Sequence, residues 1–295
     1  MNREIILSFD IEPDFGSWTS ACRGVECGTP EILRILATHR VKATFLFTGR
    51  EALAYPQLVA QVVAAQHEVG CHTMYHETLG EAVFSMPGDA PVLESEIAGR
   101  LTLATETIER VAGVRPVSFR APRLFGSTKM VQVLADLGYI ADSSLPAYFF
   151  GRSFLPYSPS ERDWTKPGSL PLVEIPVFYD LEASADSDKH RSRDQWPMLR
   201  LKGKEWFVDL CQRLFSHLER TQEQSPLCVY LHPWEFVPVP ETIVTDEAFI
   251  TFKPFLHHHC GEYALGALDE FITEMKLLGA SFTTLHDYAY AWLGK

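Results

Sequence analysis

Residues 4–10 read EIILSFD, a short apolar run that ends on an aspartate. A run of this length, rich in isoleucine and leucine, suits a strand buried on both faces. The next two segments set its partners. Residues 29–40, TPEILRILATHR, carry helical spacing behind a Thr-Pro start, with Thr29 as N-cap and Pro30 at the first helical position. Residues 42–49, KATFLFTG, are a second apolar run closed by Gly49. Strand, helix, strand in this order is the unit of a parallel sheet.

The unit recurs. YPQLVAQVVAAQ (55–66) reads as a helix and EVGCH (68–72) as a strand. A long helical pattern runs from about Val92 to Val111, and VSFRAP (117–122) is strand-like. STKMVQVLADLG (127–138) is a helix with Ser127 as cap and Gly138 as stop. YIADSS (139–144) and LVEIPV (172–177) read as strands, KEWFVDLCQRLFSHLER (204–220) as a helix and LCVYLH (227–232) as a strand. ALGALDEFITEMKLLG (264–279) is helical and SFTTL (281–285) is the last strand. Seven or eight such units favour a closed or nearly closed α/β barrel over an open sheet. Residues 145–203 and 233–262, rich in proline, aromatics and charge, break the rhythm and read as long loops of one domain spanning residues 1–295.

The chain has 295 residues, 46% hydrophobic and 22% charged, enough for a sizeable core. A formal charge of −12 without a basic stripe disfavours nucleic acid and anionic lipid as partners. No apolar run reaches the roughly 20 residues that span a bilayer. The opening MNREIILSFDIEPDF does not read as a signal peptide, so a cytoplasmic location is expected. The cysteines at 22, 27, 71, 211, 228 and 260 form no CxxC pair, and most are expected to be buried small hydrophobes.

The polar residues that follow strands are Asp10, His72, Arg120, Asp142 and His232. In α/β barrels the active site lies at the C-terminal ends of the strands. His72 and His76 stand four apart, a spacing that puts both on one helical face and lets them chelate one ion. Asp10 and Glu12 are two apart and share a face if extended. One carboxylate would complete a set of two histidines and one carboxylate, leaving another free as a base. Glu12 and Asp14 both remain open as that ligand. Arg120 would pair with and aim Asp10. His232 can give a proton near neutral pH. The HHHC run at 257–260 reads as a polar loop, not a second metal site. The aromatics Tyr148, Phe149, Phe150, Phe154, Tyr157 and Trp164 would either pack on their own loop or offer sugar or lipid contacts.

Together SFDIE (8–12), ATFLFTG (43–49), HEVGCHTMYH (67–76), SFRAP (118–122), GYIADSSL (138–145), LVEIPV (172–177) and VYLHPWE (229–235) resemble the polysaccharide deacetylase family, carbohydrate esterase family 4, in order and over nearly the whole chain. The FDIE, FRAP, DSS and HPWE versions look most like a cytosolic bacterial branch tied to exopolysaccharide and lipid-linked sugar metabolism. The resemblance implies a distorted (β/α)7 barrel and a metal-dependent hydrolase that removes an N-acyl group, acetyl or formyl, from an amino sugar. It implies Asp10 as general base, His72 and His76 as metal ligands, Arg120 as the partner of the base and His232 as general acid. Asp142 matches a carboxylate that orients that histidine. The family motif has two adjacent aspartates; here Ile11 follows Asp10 and Glu12 is the next acid, so Glu12 takes the ligand's place. Zinc is the expected ion, with iron, cobalt, nickel and manganese compatible.

Three rivals remain. A cyclic amide or ureide hydrolase on the same fold would need no acyl-sugar groove and could dispense with the metal. A non-haem iron oxygenase uses the same ligand types but belongs to all-β folds. A non-catalytic carbohydrate-binding relative would lack the base, the acid or a ligand, and all are present here.

Overall fold

The computed structural model describes residues 2–84, 90–183, 193–244, 246 and 249–294. In chain order its elements are β1 (Glu4–Ile11), α1 (Thr29–His39), β2 (Thr44–Phe47), α2 (Gly49–Ala54), α3 (Pro56–Ala64), β3 (Glu68–Cys71), α4 (Ile97–Ala112), β4 (Ser118–Phe119), α5 (Thr128–Asp136), β5 (Ala141–Asp142) and β6 (Val173–Glu174). They continue with α6 (Met198–Lys202), α7 (Lys204–Thr221), β7 (Leu227–Leu231), β8 (Thr242–Val244), β9 (Phe249–Thr251), α8 (Pro254–His257), α9 (Glu262–Leu277), β10 (Ser281–Thr283) and α10 (Leu285–Trp292).

β1 is the axis of the molecule. Its alternation sorts side chains between two cores. Ile5, Leu7, Phe9 and Ile11 pack under the surrounding helices, while Ile6 faces inward with Leu46, Ala141, Val173, Ile175 and Cys228. β7 pairs with Ile5–Phe9 along one edge. Along the other edge β10 pairs with Glu4–Ile6, and β2 takes over at Ser8–Ile11. β3, β4, β5 and β6 come next in sequence, every pairing parallel. Among the described residues no ladder joins β6 to β7, so the barrel curls without closing by hydrogen bonds. α10 stops its lower end with Leu285 and Ala289. The expected α/β barrel is thus present, with one seam open.

Several boundaries depart from the sequence reading. Thr29 is no N-cap: a π-turn over Gly24–Gly28 runs straight into α1, so Thr29 already has helical geometry. α4 starts at Ile97, the first buried residue of its apolar stripe, because none of Glu94, Ser95 and Glu96 buries a side chain. Ser127 does cap α5, its Oγ accepting from Met130 N at 3.2 Å. The long loops are partly ordered structure. The first includes β6 and α6, and its residues 184–192 lie outside the described residues. The second carries the antiparallel β8–β9 hairpin, with residues 245, 247 and 248 outside the description. Tyr148, Phe154 and Trp164 are buried; Tyr157 donates to Trp164 O at 2.8 Å within the segment, while Trp164 also lies against Gly126 and Phe149 against Phe84 outside it. Cys71, Cys211 and Cys228 are buried, Cys22 and Cys260 half-buried and Cys27 exposed, all as free thiols. No helix among the described residues is long and apolar enough to cross a membrane.

Candidate active site and metal centre

Three segments deliver three potential ligands. Glu12 comes directly after β1, and His72 directly after β3. His76 comes from the next turn, with positive φ at Thr73 (65°) and at His76 itself (61°). The two histidines therefore meet through an irregular loop, not along a helix as their spacing suggested. That loop is tied to the start of α2: Gly49 N donates to Thr73 O at 2.9 Å and Arg50 N to Met74 O at 3.0 Å. Gly16 makes room for it, since a Cβ there, at φ +64°, would stand 2.7 Å from His76 Cε1.

The ligand atoms of Glu12, His72 and His76 lie within 4.8 Å of one another, the one such group among the described residues. Glu12 Oε2 is 2.5 Å from His76 Nε2 and 3.2 Å from His72 Nε2. His72 Nδ1 donates to Arg120 O at 2.8 Å, so in the neutral ring Nε2 turns a lone pair toward the carboxylate. Two lone pairs facing at that distance repel unless a cation lies between them. Burial pushes the His76 imidazole down despite the nearby Glu12 charge. Burial alone would raise Glu12, but His76, His72 and His232 hold it well below the usual carboxylate range. A neutral imidazole beside an ionised carboxylate is the state a divalent ion requires. The residues fit a metal site of two histidines and one carboxylate. Asp14 is not part of it: its carboxylate accepts from Arg23 N at 3.0 Å and Gly24 N at 2.9 Å.

Beside this group lies Asp10, 3% exposed, its Oδ1 accepting from Arg120 Nη1 at 2.8 Å. Arg120 is fully buried and spreads its donors across the barrel: Nη1 also to Ser8 Oγ (2.9 Å), Nε to Ser143 O (2.9 Å), Nη2 to Ser143 Oγ (3.0 Å) and to Cys228 Sγ (3.4 Å). Ser8, Ser143 and Cys228 carry no signal of this role in the sequence, where nothing marks a small inward residue on a strand as an arginine's seat.

His232 closes the opposite side. Its Nε2 stands 4.0 Å from both Asp10 Oδ2 and Glu12 Oε1. Its orientation comes from Glu235, not from Asp142 as the sequence reading expected. Glu235 Oε1 accepts from His232 N (3.0 Å), His232 Nδ1 (3.1 Å) and Trp196 Nε1 (2.8 Å), and Oε2 from Arg200 Nε (2.8 Å). Asp142 lies on β5 and engages Ser144 and Glu174 instead. Burial works against charge on His232, yet Glu235, Glu12 and Asp10 raise its pKa above the ordinary imidazole value. Glu235 was legible in principle, as an acid at i+3 behind a proline. Arg200 and Trp196 come from the distant loop and left no local signal. The HHHC run gathers no metal-binding group among the described residues.

Part of the chain matches known proteins. The family profile described as polysaccharide deacetylase matches residues 2–141. Over those residues, just under half of the chain, it is similar to the polysaccharide deacetylase family. It is 32% identical over 146 residues to a chitooligosaccharide deacetylase of Sinorhizobium fredii, covering 50% of this chain and 58% of that protein. It is 32% identical over 119 residues to a peptidoglycan-N-acetylglucosamine deacetylase of Bacillus cereus, covering 40% of this chain and 36% of that one. The chain thus matches less than two thirds of either relative's length. A crystal structure described as that of a polysaccharide deacetylase from Mycobacterium smegmatis superposes over 98% of this chain and 90% of its own at TM-score 0.63 and 20% identity, which establishes the shared fold.

Proposed function

We propose that this protein is a polysaccharide deacetylase, a divalent-metal-dependent hydrolase that removes an N-acyl group, acetyl or formyl, from an amino sugar or glycan precursor. One juxtaposition carries the reading. His232 Nε2 faces Asp10 and Glu12 at 4.0 Å each, so a proton donor, a proton acceptor and a ligand set share one buried mouth. The two curated relatives are named for deacetylation of chitooligosaccharide and of peptidoglycan N-acetylglucosamine, which supports the same substrate class here.

Glu12, His72 and His76 would hold the ion. A divalent cation there, with zinc the first candidate, supplies Lewis-acid polarisation of the amide carbonyl. Asp10 takes the proton of the attacking water, its Oδ1 fixed by Arg120 so that Oδ2 is left to the reaction. His232, anchored through Nδ1 by Glu235, presents Nε2 to the leaving nitrogen and protonates it. An amine expelled without that proton is a poor leaving group.

The test joins metal content to turnover. Untagged wild-type protein should carry a transition metal by elemental analysis, and His72→Ala/His76→Ala should lose it. Asp10→Asn and His232→Ala should each lower hydrolysis of N-acetylated amino-sugar oligomers by about 10²–10⁴-fold while keeping the metal. A folded wild type that stays empty after incubation with zinc, cobalt or iron would overturn the metal-dependent reading.

A further inference from the structure

Asp142 and Glu174 take no part in the chemistry above, yet both are fully buried and sit opposite each other in register on β5 and β6. Their strand neighbours Ala141, Val173 and Ile175 face the barrel interior, so by alternation these two acids lie on the outer face. Each commits one oxygen to the chain. Glu174 Oε1 accepts from Ser144 N at 3.1 Å and Leu145 N at 2.9 Å, and Asp142 Oδ1 accepts from Ser144 Oγ. The second oxygens, Asp142 Oδ2 and Glu174 Oε2, are buried and find no N–H or O–H donor. Register and burial set the two carboxyl groups side by side, and each acts on the other's titration. Two ionised carboxylates cannot keep that placement out of water; a proton must lie between them.

We infer that Asp142 and Glu174 share one proton, and that this acid pair is the brace that seats Arg120 against Asp10. The mechanical path is short. Ser144 Oγ accepts from Ala121 N at 2.8 Å, while Ser143 accepts from Arg120 Nε and Nη2 at 2.9 and 3.0 Å. The turn at 143–145 is thus clamped from behind by the acid pair and clamps residues 120–121 in front. Asp142 and Glu174 are positioning residues.

The titratable groups that face the pair are Arg120 from the end of β4 and Tyr157 from the segment bridged to Glu174. Tyr157 is itself influenced by Arg152 and Asp163, and its hydroxyl is engaged by Trp164 O. Burial raises Asp142 to about 6, and burial together with the Asp142 charge raises Glu174 well above the usual range. The pair therefore holds one proton between its two titrations: as pH falls through about 6 it takes up a second, and as pH rises through the upper titration the shared proton is lost.

Difference infrared spectroscopy tests the proton directly. At pH 7 the folded wild type should show a carboxylic-acid C=O band that disappears in both Asp142→Asn and Glu174→Gln, because each new amide replaces the shared proton as donor to the remaining carboxylate. No such band in the wild type, or a band that survives in both variants and so belongs to another buried carboxyl such as Glu68, would overturn the shared proton. The kinetic arm rests on the proposed hydrolase activity. Glu174→Gln should keep kcat within about 3-fold of wild type and Glu174→Ala lower it by about 10–100-fold at unchanged KM, as for other residues that orient a site. Equal losses in both would overturn the brace. If the protein hydrolyses no amide, the proposed function fails while the infrared result still decides the proton. If Glu174→Ala does not fold, the two amide variants still decide it.

Discussion

Glu235 stands three residues beyond His232 with a proline between, and that spacing lets one carboxyl oxygen take both the backbone N–H and the Nδ1–H of the same histidine. The second oxygen is held by the buried Arg200, whose Nη1 and Nη2 reach His258 O and Phe255 O at 2.7 Å each. A residue that acts through another in this way affects rate more than binding. Glu235→Gln should keep the hydrogen-bond acceptor but lose the charge. Its kcat should fall about 10–100-fold with KM nearly unchanged, measured by steady-state kinetics on protein shown to be folded by circular dichroism. A rise in KM at constant kcat would instead assign Glu235 to substrate binding. The same scale explains why Asp142 is not the orienting group that the sequence suggests. A carboxylate after a strand is visible in a sequence, but which of two carboxylates reaches a histidine depends on which strand face each occupies and how the chain turns afterwards.

Among the elements, regular ones were readable and short ones were not. The apolar runs at 4–9, 44–47 and 227–231 are all strands, since each is buried on both faces and carries its own signal. β4, β5 and β6 shrink to two residues each, and the chain leaves the ladder at Arg120 and Ser143, directly after β4 and β5. The turn from α3 into β3 makes a separate case. His67 is buried against Phe45, and its Nδ1 accepts from Ala43 N at 3.2 Å, which fixes β2 beside β3. Burial, with Lys42 nearby, lowers its pKa to about 4. A base with a depressed pKa contributes stability that is present above about pH 6.5 and lost as pH falls through the folded value, because the unfolded chain takes up the proton first. Between pH 7 and pH 4.5 the wild type should therefore lose more thermal stability than His67→Gln, which can keep an acceptor for Ala43 without titrating. Identical pH slopes in the two proteins would show that His67 is not the group responsible.

For the whole molecule, the barrel architecture was legible because strand–helix alternation is a property of the entire chain, whereas the open seam between β6 and β7 was not. No local residue announces a missing ladder. What spans the interior is Arg120, which joins β4 to Ser8 and Asp10 of β1, to Ser143 beyond β5 and to Cys228 of β7. The same side chain that aims Asp10 thus ties together strands on three sides of the barrel. Removing its charge strands a buried carboxylate as well as cutting the tie. With chelator present to take metal out of the comparison, Arg120→Met should lower unfolding free energy by about 3–5 kcal/mol, the usual cost of breaking a buried ion pair from one side. That should appear as a fall in Tm of roughly 10 °C, at about 2–4 °C per kcal/mol for a chain of this size. Adding Asp10→Asn should restore part of the loss, because the neutral amide no longer needs a cation, giving a coupling of about 0.5–3 kcal/mol between the two positions in urea denaturation. Strict additivity would mean that Arg120 supports the barrel through its other bonds alone, and that its contact with Asp10 serves the site without contributing to the fold.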